Sequence, residues 1–218
     1  MPPMNPALIQ LVSLPVNGLH IEGMLELPAN AGGLVLFAHG SGSSRHSPRN
    51  NFVARELREK GIGTLLLDLL TVAEDLDYDT RFNIPLLTRR LLVATQWIKL
   101  HPPTKDLMLG YFGASTGAAA ALQAAAVLSD DITAIVSRGG RPDLAGQQNL
   151  TRVTSPTLLL VGGRDEEVIE LNYRAYALLS CTKEMIVIPC ATHLFVEPGA
   201  LQEVARQATS WFIQHLKY

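Results

Sequence analysis

Cysteine is nearly absent, with Cys181 and Cys190 the only two in 218 residues. Two are too few to staple a chain of this length, and no secretory signal opens it, so no disulfide framework is expected. Cys190 ends the apolar run 186–190 and reads as a small buried hydrophobe. Charge of one sign is missing too. Eighteen basic and twenty acidic residues leave a net charge of −2, and no basic block exists to neutralise phosphates. That excludes an electrostatically built nucleic-acid surface. No apolar stretch approaches the ~20 residues needed to cross a bilayer. A cytoplasmic protein with neither membrane nor nucleic acid as partner is expected.

Metal and nucleotide signatures are also lacking. His20, His46 and His101 show no ligand spacing, and H-E-x-x-H does not occur. The glycine-rich segment 39–44 is not followed by Gly-Lys-Ser/Thr and lacks a third spaced glycine. Neither a metal nor a cofactor is expected. There is no internal repeat, low-complexity tract or linker, so residues 1–218 read as one domain.

What the chain does have is a rhythm. Apolar-alternating runs 9–16 and 19–27 flank Asn17-Gly18, a strong hairpin signal because both residues tolerate positive φ. Short continuous apolar runs follow at 33–38, 63–67, 106–112, 132–136, 156–161 and 184–189, as strands covered on both faces would read. Helix-length amphipathic segments lie between and after them, at about 50–60, 84–100, 116–128, 167–179 and 201–216. The pattern predicts a doubly wound, mostly parallel sheet of about eight strands with an antiparallel start. Only Thr71–Pro85, acidic and aperiodic, departs from it. A solvated loop or a short cover over the ligand-binding end of the sheet would both fit.

Gly113-Ala114-Ser115-Thr116-Gly117 matches G-x-S-x-G between a strand and a helix, the setting of a nucleophile elbow. A serine on so sharp a turn is crowded by neighbouring chain, so glycines are needed two residues to either side. Serine is a weak nucleophile until a base takes its proton and a third group orients that base. In such folds the acid and the histidine follow the serine in the chain. Only His193 and His215 do. His215 ends the last helix near Lys217 and reads as solvated, whereas His193 follows the last apolar run, so His193 is the expected base. Asp165 directly follows strand 156–161 and is the expected orienting acid. The adjacent Glu166 and Glu167 suit the positive end of the next helix better.

Taken together, His39-Gly40-Ser41-Gly42, the Ser115 elbow, Gly163-Arg164-Asp165-Glu166-Glu167-Val168 and Thr192-His193-Leu194-Phe195 resemble the α/β-hydrolase fold. Small size and little room for a cap resemble the dienelactone hydrolase branch in particular. Members of that branch carry a nucleophilic cysteine where this sequence has Ser115. The resemblance implies an oxyanion hole made by the backbone N–H groups of Ser41 and Thr116. It also implies a small ester or lactone substrate, and one bearing a carboxylate that Arg138 or Arg141, after strand 132–136, could bind. A surface role suits those arginines as well. The same constellation would serve a peptidase or an acyltransferase, or persist on a non-catalytic binding module.

Overall fold

The computed structural model describes residues 6–216. Strands β1 (Pro6–Val16) and β2 (Leu19–Pro28) form the antiparallel hairpin. Asn17 and Gly18 turn it with φ of 49° and 78°, the left-handed pair whose twist matches the flanking strands. Along β2, Ile21, Gly23, Leu25 and Leu27 are buried while Leu19, His20 and Glu22 are exposed. That alternation presses one face of the hairpin on the core.

Six further strands follow: β3 (Gly33–Ala38), β4 (Ile62–Leu67), β5 (Met108–Ala114), β6 (Ile132–Arg138), β7 (Thr157–Gly162) and β8 (Lys183–Ile188). The spatial order is β1-β2-β4-β3-β5-β6-β7-β8. β2 meets β4 antiparallel, and every later pairing is parallel. β3, β4 and β7 are buried at every residue, which is why they appear as unbroken apolar runs.

Two expectations fail at the sheet's far edge. The run 184–189 was expected to be covered on both faces, yet only Ile188 of β8 is buried, because β8 has a neighbour on one side alone. Cys190 is exposed rather than buried. The strand stops at Ile188, and Cys190 stands in the turn beyond it with φ of 61°, outside the layer that a helix could cover.

The main helices are α1 (Pro48–Arg58), α3 (Ile84–Leu100), α4 (Thr116–Leu128), α6 (Glu166–Leu178) and α7 (Ala200–His215), with single turns α2 (Val72–Asp75) and α5 (Gln147–Leu150) between them. α1 and α7 cover one face, packing Val53, Leu57, Val204 and Phe212 on Val35, Phe37, Phe112 and Val136. α3 and α4 cover the other. Leu87, Leu91, Ala94 and Ile98 form the buried stripe of α3, and each such leucine contributes roughly 2 kcal/mol by leaving water. α4 is covered on nearly all sides: ten of its thirteen residues are buried. Its alanines let it lie flat on β5 and β6, flanked by α3 and by the segment 142–150. His215 packs its ring 4.4 Å from that of Trp211 and is half-buried rather than solvated.

The excursion Thr71–Pro85 is built, not bare. Glu74 N–H donates to the Thr71 hydroxyl at 3.2 Å, and Thr71 N–H donates to the Glu74 carboxylate at 2.8 Å. This reciprocal cap starts α2. Glu74 also pairs with the buried Arg90 of α3 at 2.7 Å, fastening the excursion to the body. Four residues are too few to leave a helical period in the sequence. Among the described residues no helix is long and apolar enough to cross a membrane.

Candidate active site

Ser115 stands between β5 and α4 with φ 51° and ψ −121°. Such backbone angles cost a non-glycine residue about 1–3 kcal/mol and persist only where the surroundings hold them. Three hydrogen bonds do so here. Ser115 N–H donates to the Arg138 carbonyl at 3.3 Å, and the Ser115 carbonyl accepts from Arg141 and Ala118, each at 3.1 Å. The flanking glycines are sterically required. A methyl on Gly113 would overlap the Ala118 backbone, and one on Gly117 would overlap the Ala38 and His39 carbonyl oxygens.

The segment after β3 reaches the same place. A Cβ on Gly40 would stand 2.9 Å from that of Ser115 and 3.1 Å from the Ala114 carbonyl, so this loop runs against the elbow. Buried His39 fixes it: His39 Nε2 accepts from Leu69 N–H at 2.9 Å, and Nδ1–H donates to the Gly40 carbonyl, also at 2.9 Å. Burial holds the His39 pKa below the ordinary histidine value, which keeps the ring neutral, with one nitrogen free to accept. Thr116 opens α4, so its N–H has no acceptor within the helix and lies at the positive end of the dipole.

Asp165 precedes α6, and its Oδ2 lies 2.6 Å from His193 Nδ1. A carboxylate only accepts, so Nδ1 carries the hydrogen, and in the neutral ring that leaves Nε2 as the accepting nitrogen. Glu166 and Glu167 point to solvent in the first turn of α6. The His193 loop is clamped by Glu197, which accepts from the Thr192 N–H at 3.1 Å and from the Thr192 hydroxyl at 2.7 Å. Those bonds lower the Glu197 pKa. Phe195, at φ 55° and fully buried, anchors the same loop in the core.

Ser115, His193, Gly40 and Ser41 line a common cavity of about 180 Å³, together with Arg138 and Arg49. Sequence reasoning brought forward Arg138 and Arg141, and the structure separates them. Arg141 makes a two-pronged pair with Asp143 at 2.9 and 2.8 Å and does not line the cavity. Arg138 lines it, buried, its guanidinium 5.8 Å from the centre of the Phe195 ring. Arg49 had been missed. It lies in the first turn of α1, immediately after the Ser41 loop, and that position was the available signal. Among the described residues no group of three or more His, Cys, Asp or Glu could hold a metal.

The fold and this elbow define the class. Est1E from Butyrivibrio proteoclasticus superposes with a TM-score of 0.81 over 94% of this chain and 98% of its own, at 16% identity, and the architecture is that of the α/β-hydrolases. The narrower identity follows from a second structure. A dienelactone hydrolase from Anabaena variabilis ATCC 29413 is 50% identical and superposes with a TM-score of 0.92, covering 96% of this chain and 99% of that one. The chain belongs to the dienelactone hydrolase family. No family model matches it. Proteins of Mycobacterium tuberculosis strains CDC 1551 and H37Rv, named as proposed phosphoribosyl transferases, are 52% identical over 215 residues. That match takes in 99% of this chain but 48% of theirs, so the chain spans about half the length of these curated relatives.

Proposed function

We propose that the protein is a serine hydrolase that cleaves a small ester or lactone through an acyl-enzyme. The observation that carries this reading is the Asp165–His193 hydrogen bond, 2.6 Å long, on a histidine sharing its cavity with the strained Ser115. Asp165 fixes the tautomer that leaves His193 Nε2 basic. Ser115 Oγ attacks the carbonyl carbon while Nε2 takes its proton. The oxyanion that forms accepts hydrogen bonds from the N–H groups of Ser41 and Thr116, each donor worth ~3–4 kcal/mol in kcat. Collapse expels the alkoxide, which takes the proton from His193. Water, deprotonated by the same nitrogen, then releases the acid from Ser115. No cofactor enters.

The esterases and the dienelactone hydrolase among the structural relatives support ester chemistry. A cavity of about 180 Å³ suits a short acyl group, since a long chain would find no wall to bury it. On this reading the matched half of the mycobacterial relatives is a hydrolase unit, and any phosphoribosyl transfer falls to their other half.

The test is covalent. A fluorophosphonate probe should label the wild type, with the adduct mapped to Ser115. Ser115→Ala should lose the label and at least ~10³-fold in kcat while keeping its fold. Near-normal turnover of a chromogenic ester by Ser115→Ala would sink the assignment.

A further inference from the structure

Arg49 and Arg138 stand at the wall of the Ser115 cavity without a counter-ion. Neither forms a salt bridge among the described residues, and none of the residues lining the cavity is acidic. Arg138 is only 7% exposed. Its one polar side-chain partner is neutral, the amide oxygen of Asn50 at a long 3.4 Å. The Nε atoms of Arg49 and Arg138 are both buried and have no hydrogen-bond partner among the described residues. The two guanidiniums also feel each other: burial and the nearby charge of Arg49 bring the Arg138 pKa down to about 10. Elsewhere the chain pairs its partly covered arginines with carboxylates, Arg45 with Asp68 and Glu22, Arg90 with Glu74 and Arg58 with Glu26. The departure is confined to this cavity.

Buried cations are retained where something compensates them. The Phe195 ring, 5.8 Å from the Arg138 guanidinium, offsets part of one charge, and with no acid in the cavity wall an anionic ligand would supply the rest. One carboxylate would neutralise one guanidinium and leave the other uncompensated. A phosphate monoester carries close to two charges at neutral pH and three acceptor oxygens, enough to face both forks at once. Ser43, also in the lining, adds a hydroxyl donor. We infer that Arg49 and Arg138 form a dianion subsite beside the nucleophile, and that the substrate is an ester bearing a phosphate monoester group. Its placement as a substrate subsite rests on the hydrolase reading above. The anion binding itself does not.

The experiment measures binding and inhibition with inorganic phosphate as probe. Phosphate should raise the melting temperature of the wild type and of Ser115→Ala saturably, and it should inhibit ester hydrolysis competitively. Acetate at matched ionic strength should do neither. Arg49→Gln and Arg138→Gln should each weaken phosphate at least tenfold. Arg138→Gln gives up the Phe195 contact and the long Asn50 bond, so its phosphate shift is read against its own phosphate-free melting temperature. Should it fail to fold, the half-buried Arg49 carries the test. Equal effects of phosphate and acetate, non-competitive inhibition, or phosphate binding that survives both substitutions would overturn the subsite. Succinate binding more tightly than phosphate would overturn the phosphate assignment. Because Ser115→Ala reports binding without turnover, a missing covalent label would count against the hydrolase reading alone.

Discussion

His39 accepts the N–H of Leu69 at 2.9 Å across 30 residues of chain, tying the exit of β4 to the loop that runs against Ser115. The bond requires an unprotonated Nε2. A protonated ring would turn that nitrogen into a donor facing another donor.

A pH dependence follows from this. The native His39 pKa lies below the ordinary value of 6.5, so below that pH the unfolded chain binds a proton that the native state still refuses. Stability contributed by neutral His39 is therefore complete above about 6.5 and is lost as pH falls toward the lowered native value. Urea melts between pH 7.5 and 5 should show a steeper loss in the wild type than in His39→Gln. Parallel curves would remove His39 from the account.

The orienting role proposed for Asp165 would separate it from its neighbours. Asp165→Asn keeps the shape but favours the wrong imidazole tautomer, and kcat should fall by roughly 10⁴-fold. Glu166→Gln and Glu167→Gln alter exposed carboxylates and should stay within about twofold. Steady-state rates on a chromogenic ester decide it, and a damaging Glu166→Gln would mean that the wrong acid has been chosen.

Gly117→Ala should be among the costliest single changes in the chain. The added methyl meets two backbone carbonyls, of Ala38 and His39, and neither can move without parting β3 from α4. We expect a loss above ~3 kcal/mol by denaturant titration, beyond the usual range for overpacking. Gly199→Ala is the control. Its Cβ would enter open space on a left-handed backbone at φ 83° and ψ −17°, and only the left-handed cost of about 1–2 kcal/mol should appear.

The two arginines considered from the sequence should part company under substitution. Arg141→Ala breaks a partly exposed pair with Asp143, worth at most ~1 kcal/mol. Its phosphate affinity should remain within about twofold of the wild type. An Arg141→Ala protein that loses phosphate as Arg138→Gln does would move the anion site away from Arg49.

Local constraints were legible in the sequence wherever the chain enforces them over a few residues. Asn17-Gly18 had to turn, and Gly113 and Gly117 had to make room around Ser115. Asp165 and His193 could be brought together because each directly follows an apolar run at one end of the sheet. Arg49 could not be paired with Arg138 in the same way, since 89 positions separate them and only the reach of the first turn of α1 to the end of β6, where Asn50 meets Arg138, makes them neighbours. The exposure of β8 and Cys190 escaped for a related reason. An apolar run looks alike in the middle of a sheet and at its rim, and only the strand order tells which it is. His39 stood in a quoted motif, but its acceptor role depends on a backbone N–H that carries no residue signature.

The alanine-filled α4 has a consequence for anyone wishing to redirect the proposed activity. With ten of thirteen residues buried, the helix behind Ser115 has no slack to absorb larger side chains, and changes there would be spent on folding. Variation in substrate range has to be sought in the segments that meet the cavity from outside the core, such as Ser41–Ser43 and Leu194. A library restricted to those positions and to Arg49 would sample chemistry while leaving the scaffold intact.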